Sequence, residues 1–381
     1  MSGLGGARAE IEAEIARFGS IGFDRYVELA LYGEWGFFTL GHGAGRVGRD
    51  FVTSPEVGPL FGRCVAAALD GEWHALGTPD PFVVVEVGAG NGRLCREILR
   101  AEPACAPALH YVLVETSATL RAEQHERLAI EPPEVALGGF AATTDDEPPE
   151  PVERLGPIVT ALDSLPAIAI EGVVFANELL DNLPFGLAEF DGAGWHELRV
   201  GSGPGLLRVP LVPTDTAAVT VFGPVEPGTR VPLPRALGSW LEAASAVVRR
   251  GALILVDYMI DAAALPARGD GWLRTYRDHA RAADPFADPG AHDITADVVV
   301  EHLVAAAASV GLDAPTLARQ REWLRSLGIE QFVAEGASIW SEGAGIGDLR
   351  ALEGRSRATQ AAALTDADGL GGFTVARFAR R

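Results

Sequence analysis

Residues 82–93 read Phe-Val-Val-Val-Glu-Val-Gly-Ala-Gly-Asn-Gly-Arg. The run Phe82–Val87 is rich in β-branched valine, which is typical of a strand buried on both faces of a parallel sheet. Glycine at every second position of the following turn permits torsion angles that a Cβ would forbid and lets the backbone approach a ligand closely. Arg93–Leu99 then has helical spacing, because Leu94 and Ile98 lie four residues apart. This strand, turn and helix predict an α/β fold with a ligand bound at the turn.

The turn has the spacing Glu-x-Gly-x-Gly-x-Gly, carried by Glu86, Gly88, Gly90 and Gly92. A dinucleotide site has the spacing Gly-x-Gly-x-x-Gly instead, and Arg93 occupies the third glycine position of that pattern. Glu86 would repel a pyrophosphate, so the turn suits a ligand with an amino group and a carboxylate. Glu115 ends the next predicted strand, where a carboxylate can accept hydrogen bonds from both ribose hydroxyls. These features predict a site for S-adenosylmethionine (SAM), with S-adenosylhomocysteine (SAH) as its product.

Further strand-like runs alternate with helical segments and lie at Tyr111–Glu115, Ile158–Leu162, Val173–Ala176 and Ala252–Asp257. Such alternation predicts a doubly wound, mostly parallel α/β sheet. Prolines and alternating residues after position 186 indicate a β-rich interruption. We therefore expect four parts: an N-terminal helical cap (1–78), a Rossmann-like core (79–185), a β-rich substrate-side insertion (186–236), and the rest of the core (237–381). The last part would contain a helical insertion near 321–365.

The 381-residue chain is strongly acidic, since 52 Asp and Glu residues face 31 basic ones and give a formal charge of −21. Such a surface repels phosphate backbones and anionic lipid, so we expect neither a nucleic-acid nor a membrane partner, but a cationic one. The basic residues are all arginine, which excludes a catalytic lysine and a P-loop lysine. No cluster has metal-ligand spacing, so no metal is expected.

Two expectations concern the cell and the assembly. Residues 1–10 lack an apolar signal segment, and the glutamates that follow are atypical of an organelle transit peptide. A cytoplasmic protein is therefore expected. The sequence leaves the oligomeric state open, with a homodimer as one option.

Several motifs together resemble the MidA-like methyltransferases, relatives of the mitochondrial arginine methyltransferase that assists respiratory complex I assembly. The most specific are Thr53-Ser54-Pro55-Glu56 and Asn177-Glu178-x-x-Asp181-x-x-Pro184; others are Asp257-Tyr258, Leu273-Arg274-x-Tyr276-x-x-His279 and Pro289-Gly290-x-x-Asp293. The resemblance implies a class I SAM-methyltransferase fold with a seven-stranded sheet, an N-terminal helical cap and a substrate-side insertion. It also implies methyl transfer to an arginine side chain. Arg49, Met259 and Asp297 depart from the family pattern near the expected sites.

Glu178 and Asp181 are the leading catalytic candidates, because paired carboxylates can hold the planar guanidinium fork through bidentate hydrogen bonds. They lie three residues apart just after a predicted strand, and a helical turn beginning at Asn177 would point both one way. Their alternative role is helix N-terminal capping. Glu56 is a second-rank catalytic candidate, whose alternative is an ordinary glutamate at a helix start.

The remaining candidates are single residues. Asn177 and Asp163 are candidates for cofactor binding, and Asp163 follows the strand Ile158–Leu162, where it could bind the adenine amino group or simply be solvated. The substrate-binding candidates are Tyr32, Ser54, Tyr276, His279 and His292. The two histidines have a structural role as their alternative.

The sequence is compatible with other functions. One keeps the chemistry but changes the acceptor to free arginine or another small guanidine-bearing metabolite. Another is a non-catalytic assembly factor that binds a client protein. A nicotinamide reductase is disfavoured by the glycine spacing. Asn182-Leu-Pro184-Phe185 resembles a motif of amino-group methyltransferases, but it begins several residues after its strand, and we interpret Pro184 as a boundary.

Overall fold

The computed structural model describes residues 4–42, 53–138, 156–203, 205–277, 280–282, 284–345 and 348–380. The helices are α1 (Leu4–Phe18), α2 (Phe23–Tyr32), α3 (Ser54–Val57), α4 (Pro59–Ala75), α5 (Arg93–Arg100), α6 (Ala118–Arg127), α7 (Pro133–Leu137), α8 (Thr216–Thr220), α9 (Arg235–Val247), α10 (Val300–Ser309), α11 (Gln320–Ser326), α12 (Ile329–Gly343) and α13 (Leu349–Thr365). The strands are β1 (Ser20–Gly22), β2 (Phe82–Val87), β3 (Leu109–Val114), β4 (Ile158–Leu162), β5 (Ile170–Asn177), β6 (Gly186–Phe190), β7 (Trp195–Gly201), β8 (Leu206–Pro210), β9 (Arg230–Leu233), β10 (Val248–Asp257), β11 (Met259–Ile260), β12 (Leu273–Arg277), β13 (Ala280–Ala282), β14 (Asp293–Ala296), β15 (Val298–Val299), β16 (Thr316–Arg319) and β17 (Thr374–Arg380).

The central sheet has seven strands in the order β16-β17-β10-β5-β2-β3-β4. The strands from β10 to β4 are mutually parallel, whereas β17 runs antiparallel to both of its neighbours. Strand β2 lies between β3 and β5, so the chain reverses its direction of winding there, and ligands bind at such a point in doubly wound sheets. The predicted α/β class is confirmed.

Two apolar cores cover the two faces of this sheet. Alternate residues of β2 divide between them: Phe82 and Val84 pack on one side, and Val83 and Val85 on the other. The first core includes side chains from α4, α5, α11, α12 and α13, and the second includes side chains from α9 and α10. Helices on both faces explain why the strands read as continuous apolar runs.

A third core joins the N-terminal helices to the segment after residue 186. Strand β1 pairs with β7, and the resulting antiparallel sheet has the order β1-β7-β6-β9, with β8 also pairing with β7. Buried residues of α2 pack with residues of this second sheet, whereas α4 packs against the central sheet. The four-part division, with its boundary at residue 78, stays a prediction; its first and third parts share one apolar core.

The centre of the sheet sets a sharp steric limit at Gly172. This residue of β5 pairs with Val83 on one side and Gly251 on the other, and an added Cβ would lie 1.8 Å from the Val83 carbonyl oxygen. We expect Gly172→Ala to lower the free energy of unfolding by about 1–3 kcal/mol, as overpacking does. Urea denaturation measures this loss. In the control Gly194→Ala, the added Cβ has no heavy atom within 4 Å. An equal loss in both variants would refute this account of the sheet.

Candidate active site

A cavity of about 290 Å³ lies at the carboxyl ends of β2, β3 and β5. Its floor is formed by the glycine turn after β2, by Val114–Thr116 and by Asn177–Leu179. Its N-terminal wall is formed by Tyr32, Phe38, His42, Thr53, Pro55 and Glu56. The volume is close to the lower end of the range for small-molecule sites, about 300–1,000 Å³. The motifs of the central sheet and of the N-terminal region therefore meet at one cavity.

The glycine turn needs glycine because its backbone is left-handed, with φ of +73° at Gly88, +53° at Gly90 and +76° at Gly92. An added Cβ at Gly90 would meet no heavy atom of the described residues within 4 Å. Since Gly90 lines the cavity, the backbone there is open to a ligand. The turn after β2 thus has the left-handed torsion angles and the open backbone that its glycines predicted; its role in cofactor binding stays a prediction.

Glu115 ties the glycine turn to the loop after β3. Its two carboxylate oxygens accept hydrogen bonds from the backbone N–H of Gly90 at 2.9 Å and of Ser117 at 2.8 Å. Burial raises the pKa of Glu115, and the two backbone bonds oppose that shift by stabilising the charged form. Because each carboxylate oxygen can accept more than one hydrogen bond, the side chain retains acceptor capacity for two hydroxyl donors.

Glu86 is buried at the end of β2 and lines the cavity. The Tyr111 hydroxyl donates a hydrogen bond to Oε2 of Glu86 at 2.8 Å. Burial raises the pKa of Glu86 to about 8, so a cationic ammonium group beside it would stabilise the ionised form.

Asn177 and Glu178 follow at the end of β5. Glu178 has a left-handed backbone with φ of +52°, a strained conformation for a residue with a side chain. Its Oε1 accepts hydrogen bonds from the Ser54 backbone N–H at 3.1 Å and from the Asn177 amide at 2.9 Å. Burial raises the pKa of Glu178 to about 8. Oδ1 of Asn177 is buried with no hydrogen-bond partner among the described residues.

Asp181 occupies a different place from the one expected. The helical turn beginning at Asn177 does not form, because Asn177 still belongs to β5 and the left-handed Glu178 breaks the run before a short 3-10 turn at Leu180–Asn182. Glu178 lines the cavity, whereas Asp181 is buried and is not among the lining residues. Burial and the neighbouring Asp257 carboxylate raise the pKa of Asp181 well above its usual range.

Asp257 holds the segment between these two acids. It ends β10, and its carboxylate accepts hydrogen bonds from the backbone N–H groups of Leu179 at 3.1 Å, Leu180 at 2.7 Å and Tyr258 at 2.8 Å. Burial raises the pKa of Asp257 to about 7. The Asp-Tyr motif in the sequence thus has a positioning role that the sequence analysis did not assign.

The N-terminal wall is fastened by a capping box. The Thr53 side chain accepts from the Glu56 backbone N–H, and Glu56 Oε2 accepts from the Thr53 backbone N–H at 3.0 Å. Glu56 therefore has the capping role given as its alternative, although it also lines the cavity. The Tyr32 hydroxyl donates to the Asn182 carbonyl at 3.1 Å and its ring stacks on Phe38, which places it in the wall.

The other candidates lie outside the lining of this cavity. Asp163 is exposed, with a hydrogen bond from Ser164; the Ser54 hydroxyl is buried and donates to Gln320; and His292 is buried beside the Asp288 carbonyl. Tyr276 lies on β12, also outside the lining, and His279 lies outside the described residues. Their proposed roles stay predictions. Within the described chain, no group of three or more His, Cys, Asp or Glu side chains is placed to hold a metal ion.

Arg93 is a charged residue of the cavity to which the sequence analysis gave no role. It begins α5 directly after the glycine turn and lines the cavity. The signal was its position, since a residue that follows a ligand-binding turn lies within reach of the same ligand.

The fold and this cavity define a nucleoside-cofactor methyltransferase, and comparison with known proteins agrees. Residues 64–317 match the model of a family described as S-adenosyl-L-methionine-dependent methyltransferases, and the chain belongs to that family. A crystal structure of a COG1565 superfamily member from Burkholderia thailandensis, bound to S-adenosyl-homocysteine, superposes with a TM-score of 0.80. It is 28% identical, and the match covers 99% of this chain and 92% of that one. The chain is a SAM-dependent methyltransferase.

Mitochondrial arginine methyltransferases of animals are also similar to this chain. The mitochondrial protein arginine methyltransferase NDUFAF7 homolog of Drosophila melanogaster is 26% identical over 323 residues, which cover 79% of this chain and 70% of the relative. Mitochondrial NDUFAF7 of Xenopus tropicalis is 28% identical over 303 residues, with 74% and 66% covered. The chain spans about two thirds of the length of these relatives.

The expected cytoplasmic location is wrong by the same comparisons, since these relatives are mitochondrial proteins. The expectation used the absence of a targeting pattern, and such an absence does not fix a compartment. Within the residues that the structure describes, no helix is both long and apolar enough to cross a bilayer.

The cavity fits SAM on three observations. Glu115 offers acceptors for the ribose hydroxyls, the Gly90 backbone is open to the ligand, and Glu86 can face the ammonium group. The unpartnered Asn177 Oδ1 adds a buried acceptor at the same edge. The assignment of these residues to the cofactor is our interpretation of the geometry.

Glu115→Ala should weaken SAH binding by about 1–3 kcal/mol, because it removes the ribose acceptors and leaves the Gly90 and Ser117 N–H groups unpaired. Isothermal titration calorimetry measures the affinity. Glu126→Ala is the matched control, because Glu126 is exposed on α6 and does not line the cavity. Equal effects of the two changes would remove Glu115 from the cofactor site.

Proposed function

We propose that this methyltransferase transfers the methyl group to a guanidinium nitrogen of an arginine side chain, most readily one carried by a protein. One observation carries the proposal: Glu178 is a half-buried acid on the wall of the cofactor cavity, with no ion pair among the described residues. The arginine methyltransferase names of the relatives support the same acceptor.

Burial of acids without enough cations favours a cationic acceptor. Asp181 and Asp257 are buried close to Glu178. The charge of Asp181 raises the pKa of Glu178, that of Asp257 raises the pKa of Asp181, and that of Glu178 raises the pKa of Asp257. Arg274 is the buried cation of this region, but it pairs with Asp297. A guanidinium that entered beside Glu178 would stabilise the ionised carboxylate and lower its pKa, because opposite charges attract strongly where water is excluded.

A guanidinium also suits the geometry of Glu178. The Ser54 N–H and the Asn177 amide both bond to Oε1, which fixes the carboxylate and leaves Oε2 to face a further donor. The guanidinium presents parallel N–H donors and stays protonated at neutral pH, so a fixed carboxylate can orient its plane. When bound, the cofactor supplies an electrophilic sulfonium methyl group. Glu178 would hold the acceptor nitrogen in line with it. As the new C–N bond replaced the S–C bond, that nitrogen would lose one proton, with the ionised Glu178 carboxylate as the proton acceptor.

Asp181 does not contact the acceptor in this proposal, because it lies behind the cavity wall rather than on it. Arg274 lowers the pKa of Asp181, but burial and Asp257 raise it further, so the net shift is upward. The interaction between Asp181 and Glu178 raises the pKa of Glu178. The spacing of Glu178 and Asp181 predicted that both would pair with one guanidinium. In the present proposal only Glu178 contacts the guanidinium, and Asp181 lies behind it.

Glu178→Gln preserves the size and the bonds at Oε1 but removes the charge that orients a guanidinium. We expect kcat/KM for the acceptor to fall about 100-fold or more, the scale of charge-positioning and acid–base contributions, while SAH affinity changes little. Glu171→Gln is the matched control, because Glu171 lies near the other end of the same strand, paired with Arg249. A loss no larger than in the control would exclude Glu178 from acceptor binding.

The pH dependence of kcat/KM should report the ionisation of Glu178. Its pKa of about 8 means that the carboxylate is mostly protonated at pH 6 and ionised at pH 9. Since the ionised form binds the cation, kcat/KM should rise about tenfold per pH unit below pH 8 and level off above it. Glu178→Gln should flatten that limb; an unchanged profile in this variant would assign the titration to another group.

The acceptor itself can be identified by incubating a lysate of the native host with isotopically labelled SAM and fragmenting the labelled proteins and metabolites in a mass spectrometer. Label on a guanidine nitrogen of a protein supports the proposal. Label on a free guanidine keeps the chemistry and moves the acceptor to a small molecule. Label on a carboxyl, hydroxyl or carbon atom of a neutral acceptor refutes the guanidine assignment.

A further inference from the structure

We propose that Arg93 binds the carboxylate of the cofactor's methionyl end and so selects the complete cofactor over fragments that lack the amino-acid part. Arg93 is the first residue of α5, directly after Gly92, and its side chain lines the cavity. Its Nε is buried and has no hydrogen-bond partner among the described residues. The inference depends on the cofactor, and not on the identity of the acceptor.

An unpartnered buried guanidinium N–H is costly, because it has lost water without gaining an acceptor. The contact that Arg93 does make is long: Nη2 lies 3.4 Å from the Glu56 carbonyl oxygen. A carboxylate is the acceptor that matches the guanidinium fork best, since two parallel hydrogen bonds form at once. The unsatisfied Nε therefore points to an anionic group supplied by a ligand.

The charge of the cavity singles out this position for an anion. Of the described lining residues, Glu56, Glu86, Glu115 and Glu178 are acidic, and Arg93 is an arginine. The carboxylate of the methionyl end would be repelled near the four acids and attracted near Arg93. Glu86, on the strand that leads into the same turn, remains available for the ammonium group of that end.

Arg93 also connects the two halves of the site. Its Nη2 donates to the Glu56 carbonyl, and Glu56 forms the capping box with Thr53. Ser54, which follows Thr53, donates its backbone N–H to Glu178. A cofactor carboxylate on Arg93 would thus be two hydrogen-bonded contacts from the turn that fixes the acceptor-binding acid.

Calorimetry with two ligands tests the proposal without turnover. SAH carries the amino-acid part, whereas 5′-methylthioadenosine has the same nucleoside and sulfur without it. Arg93→Met should weaken SAH binding about 10- to 100-fold, the loss of a charge-assisted hydrogen-bonded pair, and change 5′-methylthioadenosine binding less than about 3-fold. Arg100→Met, an exposed arginine on the same helix, should change neither affinity.

Retained binding of 5′-methylthioadenosine shows that the variant is folded, so the ratio of the two affinities carries the result. If Arg93→Met binds neither ligand and melts at a lower temperature than the wild type, the ratio of the SAH and 5′-methylthioadenosine affinities is measured in Arg93→Gln instead, and the same change in the ratio is expected. A ratio equal to that of the wild type in a folded variant overturns the proposal. Equal weakening of both ligands also overturns it, because Arg93 would then support the turn rather than the carboxylate.

Discussion

Neighbouring parallel strands β2, β5 and β10 each carry an acid at the same edge of the sheet: Glu86 within β2 and Asp257 at the end of β10 are buried, and Glu178, directly after β5, is half-buried. The strands are in register there, since Val87 pairs with Ala176 and Asn177 with Val256. Burial raises the pKa of each acid, because the ionised form loses water at this edge. Hydrogen-bond donors from the surrounding elements stabilise these three acids. Backbone N–H groups satisfy Asp257, the Tyr111 hydroxyl supports Glu86, and two N–H donors hold Glu178.

The N-terminal region completes the edge by supplying donors that the sheet cannot. The Ser54 N–H reaches Glu178, and the Tyr32 hydroxyl reaches the Asn182 carbonyl just beyond it. Strand β1 anchors the same region to the second sheet through its pairing with β7. Distant parts of the chain are thereby brought to one cavity, and the acids that line it are placed to meet a cationic acceptor under our proposal.

The sequence was informative wherever local pattern determines structure. The valine-rich run at Phe82–Val87 and the glycines after it predicted the buried strand, the turn and the helix, and the position of Glu115 predicted a carboxylate beside that turn. It failed where long-range packing decides. The left-handed backbone of Glu178 is imposed by Asp257, Val256 and Ser54 from other elements, so the expected helical turn and its paired acids could not be excluded from spacing alone.

The central claim is that Glu178 pairs with the guanidinium of the acceptor, and counting protons tests it most directly. Calorimetry of N-acetyl-arginine methylamide binding to the SAH complex, in buffers of different ionisation enthalpy, gives the protons exchanged. Because burial raises the pKa of Glu178 to about 8, its ionisation on pairing with a guanidinium at pH 7 should release a proton. The release should vanish at pH 10 and in Glu178→Gln, and the uncharged citrulline analogue should cause none. Binding without proton release at pH 7, or equal release in Glu178→Gln, would contradict the account.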